Sequence, residues 1–423
     1  MIKFYIKSTY LLSFSVLILI IISCAKTTQQ TKTEVVKETI HITPKKIKTG
    51  ADRLTLYLPQ LQDKNIALVA NQTSIVEVLQ RAEVSQNTMG SKSVSHHLVD
   101  YLHSNKRITI KKVFAPEHGF RGKADAGEKV VDGIDQKTGI SIVSLYGKNK
   151  KPTQSQLEGI DIVVFDIQDV GARFYTYIST LHYVMEACAE ANIPVIVLDR
   201  PNPNGHYIDG PILEKEHKSF VGMHPVPIVY GMTIGEYGQM INGELWLKNG
   251  IQCNLTVVPL ENYTHQSKYK LPIKPSPNLP NEIAINLYPS LCFFEGTNVS
   301  AGRGTAQQFQ IYGAPNLNIK EFSFTPKPNE GAKYPKHENK VCYGENLTET
   351  DYLNSINLEW LMKAYQNTED KNVFFTSFFT TLAGTTKLKE QIVAQKSIEE
   401  IKASWQNDIE KFKETRAKYL IYE

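Results

Sequence analysis

The chain is poor in cysteine, tryptophan and net charge, and it lacks the loops that announce the commonest α/β chemistries. No Gly-x-Gly-x-x-Gly follows the first apolar run, which disfavours a dinucleotide site. No Gly-x-x-x-x-Gly-Lys-Ser/Thr phosphate loop occurs, and no Gly-x-Ser-x-Gly elbow, which weakens an α/β-hydrolase reading. Five cysteines in 423 residues include no Cys-x-x-Cys, so neither a zinc site nor a dithiol redox site is indicated. A formal net charge of +4, without a basic stripe interleaved with aromatics, argues against a nucleic-acid partner. It is compatible with a small anionic substrate. No cofactor and no metal are expected.

What is present divides by position. Lys3 and Lys7 flank an apolar stretch, Leu11–Ile22, that is too short and too soon followed by polar residues to read as a membrane span. Ile21-Ile22-Ser23-Cys24 resembles a bacterial lipobox, with Cys24 as the lipidated residue. Residues 1–23 are then a lipoprotein signal peptide and 24–48 a flexible tether rich in Lys, Thr and Gln. The expected place is the cell envelope, on a membrane through a lipid anchor, periplasmic or associated with an outer membrane. In an exported protein Cys188, Cys253, Cys292 and Cys342 could pair, although Cys188 lies in an apolar helical pattern and reads as a free core residue.

From residue 51 to about 230 short apolar runs alternate with helical patterns, which implies βαβ units and a parallel sheet. The runs are apolar on both parities, as strands buried on both faces require. Ser93–Leu102 has helical spacing. Tyr177–Ala191 reads as a helix with Leu181, Val184, Met185 and Cys188 on one face. Thr233 with Glu236 three residues on is a capping box for a helix over 233–247. Leu255–Pro259 reads as a strand, and further helices are expected near 358–366 and 397–418. We place a boundary between residues 49–230, a parallel α/β domain, and 231–423, a smaller α+β domain.

Four of the apolar runs end in dense polar clusters: Asn71–Ser74, Pro116–Gly122, Asp166–Tyr175 and Asp199–Gly205. Ligands of open parallel sheets bind outside the carboxyl ends of the strands, so these loops form one composite candidate site. Glu117 is the first candidate for a catalytic acid. It follows Pro116 directly after a strand, and apolar neighbours such as Phe114 and Phe120 would favour its protonated form. The structural alternative pairs it with Arg121 or makes it a helix cap. His118 could orient Glu117, bind a substrate hydroxyl, or be a structural histidine. Asp125 and Glu128 are candidate partners of Glu117, because glycoside hydrolysis usually uses two carboxyl groups across the bond; the bland alternative is a solvated loop. Asp166 and Asp169 could position sugar hydroxyls or hold Arg173 rigid. Arg173 and Tyr175 open the next helix, whose N-terminus favours anions. Arg200, Asn202 and Asn204 sit in a proline-stiffened loop whose amides suit hydroxyl and acetamido groups, or form an Asx-turn scaffold. In the second half, Glu295, Asn298 and Arg303 lie in a Gly-rich loop that faces the same cleft, as Pro275–Pro280 would; a structural Arg303–Glu295 pair is the rival reading.

Taken together, Phe114–Gly122, Asp125–Glu128, Phe165–Thr180, Leu198–Gly205, Ser219–Met223, Val229–Glu236, Pro275–Pro280 and Phe294–Thr305 resemble the bacterial exo-acting β-N-acetylmuramidases, over roughly residues 50–423. Ile273-Lys274 departs from the bulkier lead-in expected before Pro275. The resemblance implies a Rossmann-like N-terminal domain, a smaller C-terminal domain and a site in the cleft between them. It implies release of terminal N-acetylmuramic acid from peptidoglycan fragments such as MurNAc-GlcNAc or a muropeptide. Glu117 is then the catalytic carboxyl, with Glu128, Asp166, Asp169 and Arg173 carried over as site lining. The lactyl carboxylate of that sugar would call for Arg173, Arg200 or Arg303. A non-catalytic muropeptide-binding lipoprotein and a metal-dependent hydrolase built on His118, Asp166 and Asp169 are the competing classes.

Overall fold

The computed structural model describes residues 45–85, 88–121, 128 and 131–423. Cys24, with the whole signal and tether region, and Asp125 lie outside them. Residues 45–423 form one compact unit.

Its centre is a seven-stranded sheet made of β1 (Lys64–Ala70), β4 (Ile108–Ala115), β5 (Gly133–Ile134), β6 (Ser141–Ser144), β7 (Ile162–Asp166), β8 (Val195–Leu198) and β9 (Leu255–Val258). The order is β5-β6-β4-β1-β7-β8-β9, parallel except for the short β5 on the edge. Counted along the chain, the six parallel strands run 3-2-1-4-5-6, the order of the doubly wound nucleotide-binding folds, with its switch point between β1 and β7. The last of these strands, β9, lies past the boundary expected at residue 230.

The both-parity apolar runs are explained by two cores. Ile66, Leu68, Ile162, Val164, Ile196 and Leu198 point to one face, covered by α1 (Leu54–Leu61) and α2 (Leu98–His103). Ala67, Val69, Val163, Phe165, Val195 and Val197 point to the other, covered by α3 (Gln154–Leu157), α4 (Tyr177–Glu190) and α5 (Ile234–Gly243). The second core runs on without a break into the C-terminal part, through Phe293, Phe294, Phe309 and Trp360. That part holds α6 (Glu282–Leu291), a small antiparallel sheet of β10 (Ile311–Ala314), β12 (Cys342–Asn346) and β11 (Phe322–Phe324), and the helices α7 (Glu359–Gln366), α8 (Phe378–Ala383), α9 (Lys387–Val393) and α10 (Ile398–Ala417). The chain's last residues return to the first sheet, where Tyr422 Oη donates to Asp199 at the end of β8 (2.6 Å) and the Ile421 N–H to Glu236 (2.8 Å).

The capping box at Thr233 forms as expected. The helical spacing over 93–102 does not hold. Residues up to His97 form β3 (Thr88–His97), paired antiparallel with β2 (Ile75–Ser85) in the register Ile75↔His97, and only Leu98–His103 is helical. Cross-strand pairing overrode a weak local pattern there. Cys188, Cys253, Cys292 and Cys342 are buried and free, so none of them is in a disulfide.

Candidate active site

Glu117 stands at the carboxyl end of β4, which is held between β1 and β6. Pro116 ends the ladder, and its carbonyl accepts the Gly119 N–H at 3.0 Å, closing a tight turn. The last two residues of that turn are left-handed, His118 at φ 70° and Gly119 at φ 75°. For a histidine this conformation is costly, and such strain gathers at functional sites. Glu117 is half-buried, His118 is buried, and both face a cleft.

A second strand end aims the carboxylate. Thr176 occupies the N-cap position of α4, but its hydroxyl does not cap its own helix; it donates to Glu117 Oε2 at 2.6 Å. The positive end of α4 therefore meets a carboxylate across the switch point. Thr176 is fixed from both sides. Arg173, fully buried, donates to four carbonyls, those of Pro211 (2.8 Å), Val226 (2.7 Å), Leu382 (3.0 Å) and Ala383 (2.7 Å). Gly384 must leave room for it, since a Cβ there would sit 2.6 Å from Arg173 Nη2. On the other side the Tyr177 hydroxyl accepts from Asn71 Nδ2 at 2.9 Å.

The cleft has a volume of about 460 Å³, within the range of small-ligand sites. Its first wall is Glu117, His118 and Phe174–Thr176, with Tyr146, Phe220 and Val221. The second wall comes from the C-terminal part and the segment before it: Ser276, Asn278, Leu279, Tyr288, Cys292, Glu295, Arg303, Ala332 and Tyr334–Lys336 among others. Arg303 Nε lies 3.1 Å from Glu295 Oε1 and its guanidinium 5.4 Å from the Phe309 ring centre. Lys336 donates to the carbonyls of Phe294 (3.0 Å), Val299 (3.0 Å) and Thr297. Burial pushes its ammonium below the usual lysine range, and its bonds stitch the 332–336 segment to the loop that carries Glu295. Burial likewise pushes the Tyr175 and Tyr288 phenols up, so both stay neutral at physiological pH.

Among the expected site residues, the structure brings Glu117, His118, Tyr175, Glu295 and Arg303 to this cleft. Glu128 pairs with Lys333, which sits between the lining residues Ala332 and Tyr334. The remaining described ones are held by partners within the fold. Arg173 spends its guanidinium on carbonyls. Arg200 and Asp166 form a bidentate pair, 2.7 and 2.9 Å, with 2% and 0% of their side chains exposed, and Arg200 also holds the Ile75 carbonyl. Asp169 accepts from the Gly171 N–H at 2.7 Å and from the Tyr230 hydroxyl, and burial pushes it up to about 6. Asn202 bridges the Asn204 N–H (2.8 Å) and the Met232 carbonyl (2.8 Å); Asn204 holds the carbonyls of Val170 (2.9 Å) and Ile285 (3.0 Å). Arg121 is tied to Asp135 (2.8 Å) and Asp100 (3.1 Å). Asn298 offers its backbone carbonyl to His337 at 2.6 Å.

Compared with known proteins, residues 66–283 match the family model described as exo-β-N-acetylmuramidase NamZ, N-terminal, and residues 286–422 match its C-terminal counterpart. The chain belongs to the NamZ family. Over 407 residues it is 39% identical to the peptidoglycan β-N-acetylmuramidase NamZ of Bacillus subtilis, covering 89% of this chain and 92% of that relative. Two crystallised DUF1343 family proteins of Bacteroides fragilis share the fold. One has a TM-score of 0.79 at 45% identity over 90% of this chain and 99% of the other; the second has 0.71 at 28% identity over 89% and 99%. The doubly wound sheet followed by a smaller domain with an antiparallel sheet is thus the NamZ architecture, and the two family models meet at residues 283–286.

Several lining residues of this NamZ chain escaped the reading of its sequence. Thr176 sat between two tyrosines and read as part of a helix start. Its only signal was the position: a Thr at the N-terminus of a helix that follows a candidate strand end. Phe220 lay in the motif Ser219–Met223 without being singled out, and Tyr146, Tyr334 and Lys336 carried no pattern at all, because lone aromatics and lysines are mostly surface or core residues.

Proposed function

We propose that this chain hydrolyses the β-glycosidic bond of terminal, non-reducing N-acetylmuramic acid in peptidoglycan fragments, with Glu117 as general acid or acid/base. The observation that carries the role of Glu117 is the Thr176 hydrogen bond. It holds one carboxylate at a sheet switch point, on a strained turn, facing a cleft of substrate size. A fixed carboxyl group is what protonation of a leaving oxygen needs, in an oxocarbenium-like transition state.

Two further carboxylates are near the cleft, and each is ion-paired: Glu295 with Arg303 and Glu128 with Lys333. Either is a candidate for the second carboxyl group across the bond. Attack by the sugar's own acetamido group would need neither. Our candidate for the lactyl carboxylate is Arg303, which lines the cleft, whereas Arg173 and Arg200 bond within the fold.

The test offers the chain a chromogenic β-N-acetylmuraminide beside the matching β-N-acetylglucosaminide. Release from the muraminide alone is expected, and its loss in Glu117→Gln with the fold kept. Binding of a muropeptide without release from either substrate would turn the reading to a binding lipoprotein.

The lipobox ending at Cys24 supports a lipid-anchored enzyme at the cell envelope, beside its polymer. Cys24→Ser should move the protein from the membrane fraction to the soluble one.

A further inference from the structure

Apart from Phe378, the Phe and Tyr rings that line the cleft fall into two sets. Phe174, Tyr175, Tyr288 and Phe309 are buried and pack edge to face on one another, with Phe174–Tyr288 at 5.3 Å and Tyr288–Phe309 at 4.9 Å. Tyr334 lines the same cleft with 92% of its surface exposed. Tyr146 and Phe220, half-buried, line it from the other wall.

The second set is held in place, and Lys150 Nζ lies over the Phe220 ring at 4.5 Å from its centre. Phe220 lies nearly parallel to Tyr183 (6.3 Å, 18°), and Tyr146 stands 6.2 Å from it. The Phe220 carbonyl accepts from Ser179 Oγ at 2.7 Å, which ties the loop to α4. Tyr334 is followed by buried Pro335 and by Lys336, pinned on three carbonyls, and preceded by Lys333, paired with Glu128. A ring so exposed adds little to the core, yet the lysines on both sides of it are tied down. A rigid aromatic on a fixed loop is how proteins present a flat apolar face at low entropic cost.

An exo-acting enzyme places the terminal sugar inside and leaves the rest of the saccharide at the mouth. We infer that Tyr334, with Phe220 and Tyr146 across from it, forms the binding platform for the leaving sugar, an N-acetylglucosamine-type pyranose whose axial C–H face lies on the rings. The inference rests on the reading that Glu117 cleaves the bond in this cleft.

The experiment compares two substrates that share the muramic acid and differ in the leaving group: the MurNAc-GlcNAc disaccharide and methyl β-N-acetylmuraminide. The methyl group reaches no platform. In Tyr334→Ala the ratio of kcat/KM, disaccharide over methyl glycoside, should fall by about tenfold, the scale of one aromatic contact. Tyr334→Trp should restore it, and Phe220→Leu should lower it in the same direction. An unchanged ratio overturns the platform, including the case in which both efficiencies fall together, since that reports cleft shape and not the leaving group. Glu117→Gln serves as the separate control: it must remove turnover of both substrates. If it does not, the assignment of the catalytic cleft fails, whatever the Tyr334 ratio shows.

Discussion

Two strand-end loops of this molecule look alike in sequence and have opposite fates. Pro116–Phe120 and Asp199–Gly205 each follow a buried parallel strand, each contains proline and glycine, and each carries charge. In the first, Glu117 and His118 face the cleft. In the second, nearly every polar atom is consumed within the fold. Asp199 accepts from the Arg200 and Gly235 N–H groups (2.9 and 2.8 Å) and from the hydroxyls of Thr233 and Tyr422 (2.7 and 2.6 Å). Asn202 fits so tightly that a Cβ on Gly171, at φ +75°, would come within 2.2 Å of its Oδ1. The difference lies in what covers each strand end. The C-terminal residues 421–423 and the segment around 231–236 lie on Asp199–Gly205, whereas the cleft opens above β4. Polar residues under a cover must find partners inside; those at the cleft, such as Glu117 with its bond from Thr176, keep partners of their own and still line the cavity.

The contrast can be broken most directly at Glu117. Glu117→Gln should lower kcat by roughly 10²–10⁴, the usual contribution of a positioned acid, with the unfolding transition unmoved. Retained turnover would end the functional half of the comparison. The structural half is tested at Arg200. Arg200→Met leaves Asp166 buried without its cation, and should cost about 3–5 kcal/mol of stability, read by urea unfolding, while kcat per folded molecule persists. A stable variant with lost activity would place Arg200 on substrate after all.

A smaller effect sharpens the role of Thr176. Losing a hydrogen bond to a charged group, Thr176→Val should reduce kcat about tenfold or more. Thr176→Ser should recover it, and in the Glu117→Gln background Thr176→Val should do nothing further. Additive losses would mean that Thr176 supports only the helix start.

The smallest effect concerns Asp169, pushed up to about 6 from 3.8 by burial. A raised folded pKa makes the native state the better proton binder. Its contribution to stability is complete below 3.8 and lost as pH rises through about 6. The slope is at most about 1.4 kcal/mol per pH unit, and Asp169→Asn should flatten it in urea titrations between pH 4 and 7. An unaltered slope would assign the dependence to other buried acids, Asp199 first, which burial pushes up to about 7.

Much of this was readable along the chain. Val163–Phe165 and Val195–Leu198 are apolar on both parities because both faces of the sheet are buried, and such runs advertise parallel strands. The capping box at Thr233 is a local hydrogen-bond pattern, so it could be read and does form. The chemistry of Glu117 stood out for a similar reason, since Pro116 and Gly119 shape its turn locally. The helix misread at Ser93–His97 shows the opposite case, where a partner strand decided.

Arg173 and Arg303 look equivalent as arginines beside glycines and aromatics, yet one is clamped by four carbonyls and the other lies at the cleft beside Glu295. The carbonyls that hold Arg173 come from residues 211, 226, 382 and 383, and no local pattern reports such a meeting. The amino-acid sequence by itself determined the buried parallel strands, the Thr233 cap, the turn that presents Glu117 and the family. Only the tertiary structure decided which polar groups are covered and which face the cleft, because burial depends on chain segments hundreds of residues apart.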